Sequence, residues 1–138
     1  MKPTKDKIFF DSNILVYSYS TSDVRKQTIA RKLMLLDNRF ISTQVLNETS
    51  NVLQKKYAVE RAALIELATD FENHFYIHKL TVANTKKALY IAEKYKFSFY
   101  DSLIIAAAIE CDCTTLYSED MQHNLIIEST LKIINPFV

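Results

Sequence analysis

Short apolar runs alternate along the chain with longer segments in which apolar residues recur at helical spacing. The runs predict β-strands at 7–10, 39–42, 75–80, 114–117 and 131–134. The longer segments predict α-helices over 24–37, 44–57, 61–73, 85–95 and 101–110. The last of these is apolar on nearly every side, so we expect it to be buried. Strands that alternate with helices indicate an α/β fold with a mostly parallel sheet.

Acidic residues stand where several of these strands end or where the next helix begins. Asp11 follows the first strand directly, in "KIFFDSNILVYSYS". Glu48 lies about one turn into the helix after the second strand, and Asp101 opens the apolar helix. Glu119 and Asp120 follow the fourth strand in "SED". Because these positions meet at one edge of a parallel sheet, where ligands usually bind, we expect their carboxylates to share one site.

Taken singly, most of these acids also have a structural explanation. Asp11 could cap a helix that begins near Ser12. Asp101 and Ser98 match the spacing of a capping box. Glu48 is harder to explain in this way, because it lies at the rim of the apolar face of its helix and a buried charge needs a partner.

Four clustered carboxylates could not all remain ionised without a cation. Two unit charges about 4 Å apart repel by roughly 4 kcal/mol at an effective dielectric constant near 20. An all-oxygen ligand set favours Mg²⁺ or Mn²⁺ over zinc, and the three histidines are scattered at 74, 78 and 123. Carboxylate clusters that hold such ions commonly serve phosphoryl chemistry, in which a metal-bound water is the nucleophile.

Composition excludes several other classes of protein. The chain has no glycine and two prolines, which rules out Gly-rich phosphate loops. Its 138 residues suit one domain spanning 1–138. No apolar run is long enough to span a bilayer, no secretory leader pattern is present, and both cysteines (Cys111 and Cys113) are expected to be reduced, so we expect a cytoplasmic protein. The net charge of +1 gives no nucleic-acid signature by itself.

Four segments together resemble the PIN-domain family, and most of all the VapC-type toxins of bacterial toxin–antitoxin pairs. They are "FFDSNILVYSYS", "ISTQVLNETSNVLQKK", "FSFYDSLIIAAAIECDCTTLYSEDMQHNL" and "KIINPFV", and the resemblance runs from residue 8 to 138. Each motif alone is weak, but their order and spacing are specific. One departure is Asn124, where the family pattern often has glycine. Asparagine tolerates the left-handed conformation, so we expect the turn to be kept.

The resemblance implies a three-layer α/β/α sandwich with a five-stranded parallel sheet in the order 3-2-1-4-5. It implies an endoribonuclease that depends on Mg²⁺ or Mn²⁺. It also implies two kinds of protein partner, a small cognate antitoxin and a second copy in a homodimer. Carried over by position, the catalytic and metal-binding residues would be Asp11, Glu48, Asp101 and Asp120, with Glu119 as a further metal ligand and Asn13 and Ser118 in support.

Two alternatives remain open from the sequence. A catalytically silent PIN-fold module that binds RNA or protein would keep the fold without the reaction. A receiver-type signalling domain also has an aspartate beside Mg²⁺ at the end of a strand. It requires an acid pair near the first strand and a lysine after the last one, whereas Phe10 precedes Asp11 and Lys132 lies inside its predicted strand.

Overall fold

The computed structural model describes residues 6–138 as a central β-sheet with helices on both faces. The strands are β1 (Ile8–Phe10), β2 (Arg39–Ser42), β3 (Tyr76–His78), β4 (Thr115–Tyr117), β5 (Ile126–Ile127) and β6 (Leu131–Ile134). The helices are α1 (Ser12–Tyr19), α2 (Val24–Leu33), α3 (Thr43–Tyr57), α4 (Arg61–His74), α5 (Val82–Tyr95) and α6 (Phe99–Glu110). Helix α1 packs against both α2 and α3, α3 also contacts α4, and α5 packs against α6.

The sheet has the strand order β3-β2-β1-β4-β6-β5. The first five strands in this order are parallel, and β5 pairs with β6 in the antiparallel direction at one edge. The predicted order 3-2-1-4-5 is confirmed for the parallel strands, since β6 is the fifth strand predicted from the sequence. The short strand β5 is an addition that the apolar pattern did not reveal, because two residues carry no periodicity.

The central strand β1 is apolar on both sides because helices cover both faces of the sheet. Phe9 and Phe10 point to opposite faces and are both fully buried. Phe9 pairs with Phe40 of β2 on one side and with Leu116 of β4 on the other. Strand β1 lies between β2 and β4 and ends at Phe10. The next residue, Asp11, therefore lies at the carboxyl end of a central strand.

The apolar helix predicted over 101–110 is the buried core of the second helical layer. Helix α6 buries seven consecutive residues, from Ser102 to Ala108. Its partner α5 lies against it through small side chains such as Ala88 and Ala106. This packing fixes the first turn of α6, and therefore Asp101, relative to the sheet.

Helices α3 and α5 end without glycine, although left-handed residues at these positions usually are glycine. The residues that follow them, Ala58 and Lys96, have φ angles of 52° and 62°. Asn124 also adopts a left-handed conformation, with φ of 69°, which confirms the expected turn. Helix α2 ends at Leu33, earlier than the predicted position 37, and the chain turns through Asn38 at φ 56° before β2 begins.

Candidate functional site

Asp11 is the most deeply buried acid of the site. Its side chain is 4% exposed and caps α1, where Oδ1 accepts a hydrogen bond of 2.7 Å from the backbone N–H of Ser12. The Ser118 hydroxyl donates to Oδ2 over 2.8 Å. Burial raises the pKa of Asp11 to about 6, although both hydrogen bonds act in the opposite direction. The predicted helix cap is therefore present, but it involves only Oδ1 of Asp11. Oδ2 is held by Ser118 and takes no part in the cap.

Glu48 lies on α3 and Asp101 in the first turn of α6, and these two helices are joined by a hydrogen bond from Gln44 to the backbone oxygen of Tyr100. Burial raises the pKa of Glu48, a side-chain hydrogen bond with Gln44 acts in the opposite direction, and the negative charge of Asp101 raises the pKa further. Oε1 of Glu48 is enclosed by protein and has no hydrogen-bond partner among the described residues. A buried carboxylate oxygen without a donor is costly. This atom is the clearest sign that the site lacks a positively charged partner from the protein itself.

Asp101 occupies the first turn of α6, where Ser98 is the N-cap. The Ser98 hydroxyl oxygen accepts the backbone N–H of Asp101 over 3.2 Å. The reciprocal bond of a capping box, from the backbone N–H of Ser98 to the Asp101 carboxylate, does not occur among the hydrogen bonds of residues 6–138. Burial raises the pKa of Asp101, and the charge of Asp120 adds to this rise. The Asp101 carboxylate is therefore not used to cap its own helix.

The four acids are linked through their charges. Glu48 and Asp101 both raise the pKa of Asp11, Asp101 raises that of Glu48, and Asp120 raises that of Asp101. The structure thus brings the acids from four separate segments into electrostatic contact. Within residues 6–138, however, no three or more of the Asp, Glu, His and Cys side chains are grouped closely enough to hold a metal ion as they stand.

Asn13 and Ser118 connect the two loops that carry Asp11 and Asp120. The Asn13 side-chain amide donates to Asp120 Oδ2 over 3.0 Å, and its oxygen accepts the backbone N–H of Glu119 over 3.3 Å. The Ser118 hydroxyl oxygen accepts the backbone N–H of Asp120 over 3.3 Å while its proton goes to Asp11. Asn13 therefore orients the carboxylate of Asp120, and Ser118 orients that of Asp11.

Glu119 is already paired inside the protein. Its Oε1 accepts a hydrogen bond of 2.6 Å from the Tyr17 hydroxyl, and its Oε2 forms an ion pair with Lys26. The Lys26 ammonium also lies 4.8 Å from the centre of the Tyr17 ring. Because both of its oxygens have partners, Glu119 is less available as a metal ligand than Asp120, whose side chain is exposed apart from its contact with Asn13.

Three side chains near the acids were not found from the sequence. Gln44, one turn before Glu48 on α3, donates from Nε2 to the backbone oxygen of Tyr100 over 3.1 Å. Its spacing from Glu48 was a usable signal, because residues four apart share a helix face. Tyr17 and Lys26 had no such signal, since their contact with Glu119 depends on how α1 and α2 pack together.

A protein-family model matches most of the chain. The PIN domain family model matches residues 8–126, and the chain therefore belongs to the PIN domain family. The resemblance read from the sequence motifs is confirmed. No curated protein sequence matches the chain.

Several solved structures share the fold, and three are described here. VapC20 of Mycobacterium tuberculosis, a sarcin-ricin loop cleaving toxin, has a TM-score of 0.67 at 20% identity over 80% of this chain and 87% of that one. A toxin–antitoxin complex from Klebsiella pneumoniae has a TM-score of 0.69 at 21% identity over 94% of this chain and 98% of that one. VapBC2 of Rickettsia felis, bound to a DNA fragment from its promoter, has a TM-score of 0.62 at 18% identity over 91% of this chain and 96% of that one.

The strand order also separates this protein from receiver domains. Flavodoxin-like folds have the order 2-1-3-4-5, whereas here β2 lies between β1 and β3. The signalling alternative is therefore excluded by topology. The described part of the chain contains no helix that combines the length and the hydrophobicity needed to cross a membrane.

Proposed function

We propose that this PIN-domain protein is an endoribonuclease that depends on Mg²⁺ or Mn²⁺, with Asp11, Glu48, Asp101 and Asp120 as its metal-binding and catalytic residues. The observation that carries the proposal is the enclosed, unpaired oxygen of Glu48 beside the buried carboxylate of Asp11. A protein retains buried acids at this energetic cost mainly where they bind or react.

The residues present fit a hard divalent cation. Every candidate ligand is a carboxylate oxygen, which is the donor that Mg²⁺ and Mn²⁺ prefer. Since the acids are not yet grouped within coordinating distance, binding requires their side chains to turn toward one another. Asp120 is the ligand with the most freedom to do so, because it is exposed. Glu119 would join the site only if its bonds to Tyr17 and Lys26 were broken.

The chain's own residues hold the reacting groups in place. When bound, the ion would lower the pKa of a water molecule and neutralise the leaving oxygen of the phosphodiester. Ser12 and Ser118 fix the orientation of the Asp11 carboxylate through donated hydrogen bonds. Asn13 holds Asp120 against the same loop. With the metal taking these roles, no histidine or other base is required.

Two pockets lined by residues of α3 contain acids of the proposed site, and they support a path for the RNA strand along this helix. One pocket, of about 410 Å³, contains Glu48, and the other, of about 320 Å³, contains Asn13, Asp120 and Lys56. Glu48 and Lys56 are eight residues apart on α3, which separates their backbones by about 12 Å. We propose that Lys56 contacts a phosphate next to the one that is cleaved.

The direct test is cleavage of single-stranded RNA by the purified protein. We expect cleavage with Mg²⁺ or Mn²⁺, none after addition of a chelator, and products with 5′-phosphate and 3′-hydroxyl ends. Asp11→Asn and Asp101→Asn should abolish cleavage, whereas Asp37→Asn, at an exposed position, should leave it unchanged. Full activity in either of the first two variants would refute the assignment.

We also propose that the protein is the toxin of a toxin–antitoxin pair, that it acts in the cytoplasm, and that it forms a homodimer. The similar structures from Klebsiella pneumoniae and Rickettsia felis support the pairing, because they are described as a toxin–antitoxin complex and as VapBC2. Expression of the chain alone should arrest growth, and the Asp11→Asn variant should not.

Light scattering of the purified chain would test the homodimer, and limited proteolysis would test whether 1–138 is one domain.

A catalytically silent binding module is the second candidate, and one observation favours it. The acids are not grouped for metal binding as they stand. In that case RNA would bind with equal affinity in chelator and in Mg²⁺ and would remain intact in both. Metal-dependent cleavage lost in Asp11→Asn would exclude this alternative.

A further inference from the structure

The pocket that contains Glu48 combines apolar, aromatic and amide side chains beside that carboxylate. It lies between the first turns of α3 and α6, has a volume of about 410 Å³ and is open to solvent on one side. No lysine or arginine is among its lining residues, so it offers no cationic side chain to a phosphate group. Its lining includes the side chains of Gln44, Asn47, Glu48, Leu80, Tyr100 and Leu103.

Tyr100 forms an aromatic wall of this pocket, and its ring packs edge-on against that of Phe99 at a centroid distance of 5.3 Å. Its side chain is 64% exposed, although it stands in the first turn of the most deeply buried helix. Its backbone oxygen is held by Gln44 Nε2 over 3.1 Å, which fixes the position of the first turn of α6. A fixed, exposed aromatic ring beside a cleft provides a surface on which a flat ring can stack.

Gln44 provides a second, independent sign of a ligand. Its side chain is 8% exposed, and its Oε1 has no hydrogen-bond partner among the described residues. A buried amide oxygen without a donor destabilises the folded protein unless a ligand supplies the missing hydrogen bond. Nε2 of Gln44 already donates to the backbone oxygen of Tyr100. The atom of this amide that has no partner is therefore its oxygen, which is an acceptor. The matching ligand group is an N–H donor, such as those along the edges of nucleobases.

We infer that this pocket is a subsite for one nucleobase of a single-stranded RNA, held next to the acids. The base would stack on Tyr100, rest against Leu80 and Leu103, and offer its N–H edge to the amides of Gln44 and Asn47. Stacking on an aromatic side chain together with hydrogen bonds to a base edge is the usual way in which proteins bind unpaired RNA bases. Because Glu48 lies in the same pocket, a base held there would bring its own phosphodiester to the acids. The inference rests on the proposed function and names the part of the substrate that the site binds.

The test is a thermodynamic cycle between Tyr100 and each base of a short labelled RNA. Binding is measured by fluorescence anisotropy in chelator, so that the RNA stays intact. Tyr100→Ala should weaken binding by about fivefold to a hundredfold, the range for loss of one stacked base, whereas Tyr100→Phe should bind like the wild type. Removal of the base at one position of the RNA should weaken wild-type binding by at least the same factor, and it should weaken binding by Tyr100→Ala less than it weakens binding by the wild type.

The matched control is Tyr76→Ala, because Tyr76 is 61% exposed and stands at the start of β3, the end of the strand away from the acids. It should bind RNA like the wild type. An equal loss in this control, no coupling at any base, or no RNA binding by the wild type would overturn the inference. The outcome also separates the two proposals. Coupling between Tyr100 and one base, without cleavage in Mg²⁺, would support the base subsite and refute the nuclease activity. Cleavage without such coupling would support the nuclease activity and refute the base subsite.

Discussion

Replacement of Asp11 by asparagine should stabilise the metal-free protein at pH 8, although it should abolish activity. Asparagine keeps the shape of the side chain and its hydrogen bond from the Ser12 N–H, and its amide can donate to the Ser118 oxygen. What the substitution removes is a negative charge at a position that is 4% exposed. The expected gain in stability is therefore the cost of ionising Asp11 inside the folded protein.

The size of that gain follows from the pKa of Asp11. Folding raises this pKa from 3.8 to about 6, and each pKa unit corresponds to about 1.36 kcal/mol, so the ionised form costs about 3 kcal/mol. Because the folded protein keeps a proton that the unfolded chain has lost, the free energy of unfolding should fall as the pH rises from about 4 to about 6. Above that range the full cost is present. At pH 8 the Asp11→Asn variant should be more stable by up to about 3 kcal/mol, or on the order of 10 °C in Tm.

The assay is chemical denaturation of both proteins in chelator at pH 4.5 and at pH 8, followed by circular dichroism. The stability difference should be large at pH 8 and much smaller at pH 4.5. Asp37→Asn is the control, since Asp37 is exposed and its carboxylate makes no hydrogen bond or ion pair with the rest of the described chain. An Asp11→Asn protein no more stable than the wild type at pH 8, or a difference that does not change with pH, would refute the reasoning.

Three further predictions concern the metal, the RNA path and the backbone. Glu48→Gln should weaken Mn²⁺ binding by at least about tenfold in calorimetry, and Glu66→Gln, at an exposed position of α4, should not; equal affinities would remove Glu48 from the ligand set. Lys56→Ala should reduce the slope of log K against log salt for single-stranded RNA by about 0.7, and Lys55→Ala, on another face of α3, should not; identical slopes would exclude the proposed phosphate contact. Ala58→Gly should raise the free energy of unfolding by about 1 kcal/mol, because φ is 52° there; a loss of stability would contradict this.

The positions of Asp11 and Asp101 could be predicted because they depend on local patterns. A strand that is apolar at consecutive residues must be covered on both faces, and the residue that ends it must reach the edge of the sheet. Helix α6 is apolar around its whole circumference, so its first turn had to lie near the sheet as well. The parallel strand order then brings these segments to one edge without any knowledge of the side-chain contacts.

The pairing of Glu119 could not be predicted from the same patterns. Its ion-pair partner Lys26 is 93 residues away in the sequence, and the contact exists only because α2 packs against α1. The hydrogen bond of Gln44 to the backbone of Tyr100 spans 56 residues and joins the two helical layers. Such contacts are set by the relative placement of helices, which hydrophobic periodicity does not specify.

The ends of the elements were the other part that the sequence left open. Without glycine, the chain gives no marker for the residues that leave a helix in the left-handed conformation, and Ala58 and Lys96 take this role. Helix α2 was predicted to reach position 37 because Leu36 continues its apolar spacing, but Leu36 is exposed and lies outside the helix. Apolar spacing indicates which face of a segment is buried, but it does not indicate where the backbone stops being helical.

The central claim is that acids from separate segments share one divalent ion. Diffraction from crystals soaked in Mn²⁺, recorded at a wavelength where manganese scatters anomalously, would locate the ion directly. We expect an anomalous peak about 2 Å from carboxylate oxygens of Asp11, Glu48 and Asp101, with Asp120 turned toward it. A manganese ion bound only elsewhere on the molecule, or no ion at saturating Mn²⁺, would contradict the claim.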